Sequence, residues 1–255
     1  MKQIIKKLFL NIKYLINWQH SFFYLFLVYT VFHFIFADYN LETNTLNYNN
    51  LFYSLGKSII LSLGVSLTSM LLGIILVLVY LTKSIKIIKT TLDNIFILPE
   101  ILYLFILLFL LSPINIIDFI IILSIIRGYN FSNLLIQEIE EIKKKEFINA
   151  LYSMGLKKSE IIRKHVLPII TIPIAIFFIE TVTWFIVIEF ILSFINITPI
   201  YKYPAIGTMM NNFISNKNYT DLYIIIIIFY LFTFELSYII TNIKLKFEIL
   251  FKKET

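Results

Sequence analysis

The chain has no cysteine among its 255 residues, which excludes disulfides and thiol chemistry. It has no Gly-x4-Gly-Lys-Ser/Thr loop for cradling phosphates. Gly56-Lys57-Ser58 is a fragment at an expected external helix end and lacks the upstream glycine. The only histidines are His20, His33 and His165. Thirteen residues separate the first two, and the third falls on the opposite side of the expected topology, so no metal site is expected. There is no internal repeat, soluble domain or linker. The first apolar run is too long for a signal h-region and has no small-x-small cleavage site near Ala37. It is expected to remain as an anchor.

What the chain does have is apolar surface: 59% of residues are hydrophobic and the mean hydropathy is +0.85. No soluble domain of this size needs so much, so the bilayer is the expected solvent. Only helices and closed barrels satisfy their backbone polar groups in hydrocarbon. The apolar runs are continuous rather than alternating, which predicts helices.

The expected fold is all-α: a polytopic membrane protein with six transmembrane helices and a cytoplasmic helix–turn–helix loop. The spans are expected at residues 21–37, 58–81, 92–111, 114–126, 169–195 and 222–240. The fourth is short for a bilayer of roughly 30 Å and is expected to continue as helix past Arg127. Residues 1–20 and 243–255 form tails around a transmembrane domain at 21–242, with the loop at 128–168. Residues 38–55 are polar and read as loop, and 196–221, with Pro199, Pro204 and Gly207, cannot be one helix.

The net charge of +6 is spread so that one side collects nearly all the cations. The N-terminal tail, the loop after the second span, the long central loop and the C-terminal tail carry them. The other side receives only Lys57, Lys202 and Lys217. The positive-inside rule then makes both termini and the central loop cytoplasmic, with no nucleic-acid partner implied. The expected location is a bacterial plasma (inner) membrane. Ser62, Ser66, Ser69 and Gly73 form a small-residue stripe on the second span, a packing surface for another helix.

The central loop is the one charged segment with its own periodicity. Phe147, Ala150, Leu151 and Met154 share one face of a short helix starting near Glu146. Gly155 follows, where a helix ends readily in the left-handed conformation. Ser159 can cap a second short helix, and Pro168 suits the first turn of the fifth span. Two readings fit this periodicity: an amphipathic helix on the membrane surface, or a helix that docks in a partner's groove.

The spacing of Asn149-Ala150-Leu151, Gly155 and His165-Val166-Leu167-Pro168 resembles the cytoplasmic signature of binding-protein-dependent ABC transporter permeases. That signature is Glu-Ala-Ala, three residues, Gly, nine residues, then Ile-x-Leu-Pro. Glu146-Phe147 and the His-Val-Leu-Pro ending look like the dipeptide/oligopeptide/nickel branch. So do Leu98-Pro99, Glu189 to Phe194 and Pro204 to Gly207, the last without the branch's Trp. The likeness runs from about Asn50 to Ile240 and is to the shorter, second permease of a pair. Asn149 stands where the signature has Glu, and Leu151 where it has the second Ala; Glu146 lies on nearly the same face as Asn149.

The resemblance implies a non-enzymatic transport subunit that binds no cofactor itself. ATP and Mg sit on two separate ATPase subunits. A second permease and an extracytoplasmic substrate-binding protein complete the importer for peptides or nickel. It assigns ATPase coupling to Glu146, Phe147, Asn149, Ala150, Leu151, Met154, Gly155, His165, Leu167 and Pro168.

Glu100, Asp118, Glu180, Glu189 and Glu235 fall within or near spans. Each costs roughly 2.5–3.5 kcal/mol to insert, so each needs a partner or a polar path. Glu180 is deepest and is expected on the translocation path with Glu189. Nine residues put these two half a turn out of phase, so one lines the path while the other pairs with a helix. The competing expectation is an ion-coupled secondary transporter working through such carboxylates.

Overall fold

The computed structural model describes residues 18–36, 48–81, 99–110, 115–197 and 205–252, and among these the ordered elements are all helical. Four helices are long and apolar enough to cross a membrane. They are α2 (Tyr48–Leu81), α4 (Ile116–Lys144), α7 (Leu167–Phe194) and α9 (Tyr219–Lys252). The protein is therefore a multi-pass membrane protein. Shorter apolar helices accompany them: α1 (Trp18–Phe36) and α3 (Glu100–Leu110). The remaining helices are α5 (Glu146–Ser153), α6 (Lys158–Ile161) and α8 (Ile206–Ser215). Residues 92–98 and 111 of the expected third span lie outside the described residues.

α2 and α9 have 34 residues each, about 50 Å at 1.5 Å per residue. Both exceed the hydrocarbon thickness of about 30 Å. The early start of α2 departs from the expected loop at 38–55. Leu51 and Leu55, one turn apart, are buried with Met209, Met210 and Phe213 of α8 and Leu222 and Ile225 of α9. Apolar burial against α8 outweighs the weak helix propensity of Asn49 and Asn50. α4 runs unbroken through Arg127 to Lys144, so residues 128–144 prolong the fourth helix.

α2 is the hub: it packs on α1, α4 and α7. Its small-residue stripe does what the spacing predicts. Ser62, Ser66 and Ser69 are fully buried, and Ser66 Oγ donates to the Phe178 carbonyl of α7 at 3.2 Å. A Cβ on Gly73 would stand 2.5 Å from Phe131 Cδ1 and 2.8 Å from the Gly128 carbonyl. Only glycine admits this crossing of α2 and α4. Most other hydroxyls in the bundle, including those of Ser58, Ser69 and Thr181, donate to carbonyls three or four residues back in their own helices. That satisfies them where water is absent.

Three apolar clusters form the core. One joins α1, α2, α7, α8 and α9. A second joins α2, α3, α4 and α7 around Phe119, Leu123 and Phe185. The third ties α5 and α6 to α2, α4 and α7. Between α6 and α7 the chain makes a π-helical turn, Ile162–Val166. Pro168 has no N–H to offer the Lys164 carbonyl, so an α-turn here would lack a bond in any case.

Candidate functional site

The first candidate is the elbow formed by α5, α6 and the turn between them. Gly155 has φ +79°. The Leu156 N–H donates to the Leu151 carbonyl at 3.3 Å, and the Gly155 N–H to the Tyr152 carbonyl at 3.0 Å. This is a Schellman end, with glycine in the left-handed position as its sequence predicts. Asn196 (φ 58°) and Lys217 (φ 56°) end α7 and α8 with the same bonding pattern.

The faces of α5 are divided. Ile148 is buried among Val77, Leu135, Ile142, Ile161 and Ile170. Leu151 and Leu156 pack partly against the same cluster. Phe147, Ala150 and Met154 are exposed, Met154 at 77%. Glu146 and Asn149 are exposed beside them. Of the expected stripe, Leu151 therefore turns toward the protein and the other three turn away. Ile148, not singled out from the sequence, is the anchor; its spacing to Leu151 was the available signal. His165 is half-buried within the π turn, Leu167 is exposed, and Pro168 lies in the first turn of α7. The elbow thus offers an apolar, outward-facing surface on a base fixed to three long helices.

The second candidate is a set of three ion pairs that join helices of the bundle. Glu189 of α7 is buried 3.5 Å from Lys57 Nζ of α2, with side chains 2% and 8% exposed. Glu189 thus pairs with a neighbouring helix. Lys57 was assigned to the polar side by sequence, yet it sits inside α2 against α7. Glu100 opens α3 and accepts a hydrogen bond from Arg127 Nη1 at 3.1 Å and another from Asn130 Nδ2. The Arg127 guanidinium also lies over two rings, 4.7 Å from the Trp184 centroid and 5.2 Å from that of Phe177. Such stacking suits a weakly hydrated planar cation. Charge counting along the sequence puts Arg127 among the cations of the central loop. It stands eleven residues into α4, deep enough to need these partners.

Glu180, near the middle of α7, is paired with Lys244 of α9. Asp118 is exposed in the first turn of α4, where the helix dipole favours an acid. Among the described residues no group of three or more histidines and acids converges to hold a metal ion. A groove of about 520 Å³ opens between α1, α2, α7 and α9, lined by apolar side chains including Leu27, Val31, Ile59, Val182 and Phe232.

Comparison of the chain with protein-family models and with curated proteins finds no match.

Proposed function

We propose that this chain is a transmembrane permease subunit of an ATP-driven importer for peptides or a nickel or metal-chelate complex. It forms half of the translocation path and receives its stroke from a separate ATPase through residues 146–168. The observation that carries this reading is the elbow. An apolar face at Phe147, Ala150 and Met154 points away from the protein, and the helix bearing it is anchored by Ile148 in a cluster shared with α2, α4 and α7. A purely interfacial helix needs no such anchor. A docking helix does, because a push on it must reach the spans rather than bend the loop. The permease-like spacing of Gly155 and Leu167-Pro168 supports the same reading.

In this reading α1 and α3 complete six spans, and both termini and the elbow are cytoplasmic in a bacterial plasma membrane. The chain holds no cofactor; ATP and Mg are handled by two ATPase subunits. A second permease completes the path and an extracytoplasmic binding protein delivers substrate. Closure of the ATPases moves the elbow as a unit, and the motion passes through the π turn into α7.

The test is purification from native membranes in mild detergent, followed by identification of the bound chains. An ATPase together with a second permease is the expected result. A homo-oligomer reproducible across detergents refutes docking and moves an ion-coupled carrier to first place.

A further inference from the structure

The three intramembrane ion pairs are not equivalent. Lys57–Glu189 is closed, with side chains 8% and 2% exposed. Glu100–Arg127 is held from the cation's side: Arg127 is 12% exposed, clamped between two rings, and Asn130 adds a second donor to the carboxylate. Glu180–Lys244 is open on both sides, at 31% and 48%. Its cation rides on a flexible four-carbon stem, a mobile point charge rather than a fixed fork. A ligand can displace Lys244 from Glu180 without dismantling the bundle, and neither of the other pairs offers that.

The chemistry of the resident partner narrows the ligand. Lys244 presents a primary ammonium with three donors. The group that replaces it like for like is another primary ammonium, which a peptide carries at its free amino terminus. We propose that Glu180 is the acceptor for the amino terminus of a peptide substrate, and that Lys244 occupies the place as a tethered stand-in until the substrate displaces it. The inference rests on the permease reading for the identity of the path, and it selects peptides over bare metal ions within that reading. With Lys244 in place the carboxylate is neutralised between transport cycles, which removes the cost of an uncompensated charge at that depth.

The absence of native cysteine from this chain makes the test direct. In the full assembly carrying Lys244→Cys, labelling of this chain by N-ethylmaleimide is followed with three probes: trialanine, N-acetyl-trialanine and nickel(II) chloride. Trialanine is expected to slow labelling several-fold and N-acetyl-trialanine to leave it unchanged. Adding Glu180→Gln is expected to abolish the protection. Equal protection by both peptides, protection by nickel alone, or none at all overturns the proposal.

If Lys244→Cys does not accumulate, Thr241→Cys decides. It lies one turn away and keeps both charges, and trialanine is expected to slow its labelling, N-acetyl-trialanine to leave it unchanged, and added Glu180→Gln to abolish the protection. The same preparation is analysed for bound ATPase. Protection without an ATPase refutes the importer and leaves the amine site standing. An ATPase without protection refutes the amine site alone.

Discussion

Neutralising one member of the buried Lys57–Glu189 pair should damage the protein more than neutralising both. At 3.5 Å and an effective dielectric constant of about 20, the attraction is about 5 kcal/mol. Desolvating the two ions costs several kcal/mol each, so the intact pair contributes little net stability. Glu189→Gln leaves the Lys57 ammonium buried without its counter-ion, and Lys57→Met does the reverse. Each single change should cost about 3–5 kcal/mol. The double variant carries no stranded charge and should be more stable than either single one. Denaturation of the detergent-solubilised chain by increasing SDS, on wild type, both singles and the double, gives the coupling energy. Additive losses, or a single loss below about 1 kcal/mol, refute the buried pair. Where the single loss is that small, Glu189 faces water and its replacement should lower uptake instead.

Two further outcomes follow from the packing. Gly155→Pro forces φ from +79° to about −65° and removes the N–H that the Tyr152 carbonyl accepts; substrate uptake should be lost while membrane insertion, checked by fractionation, is kept. Gly73→Leu drives a side chain into Phe131 and the Gly128 backbone; it should cost at least about 1–3 kcal/mol, seen as a lower melting temperature in detergent, whereas Gly64→Leu, with open space around its Cβ position, should be near neutral.

The helices were legible because hydrocarbon leaves the backbone almost no other choice. The small-residue stripe was legible because glycine and serine at helical spacing have few other uses in a span, and the end of α5 because Gly155 suits a left-handed residue. The partners of the charges were not. Lys57 and Glu189, Arg127 and Glu100, Lys244 and Glu180 are distant in sequence, and each cation was placed in a polar segment by counting charge along the chain. Arg127 illustrates the reason: its insertion cost is offset by Glu100 of α3 and by Phe177 and Trp184 of α7, and no local pattern announces that convergence. The first turns of α2 were missed on similar grounds. Asn49 and Asn50 look like loop, and what makes them helical is α8, more than 150 residues further along.

The π-helical turn at Ile162–Val166 holds one residue more than an α-turn would. A surplus residue housed there leaves the helical phase on either side undisturbed. Removing one residue from this segment would return it to α geometry without rotating α7 about its axis or turning the outward face of α5. The joint therefore separates length from orientation. A change in the distance between the elbow and the bundle does not become a change in which side chains line the interior, so the elbow can shift in length while the transmembrane faces stay as they are.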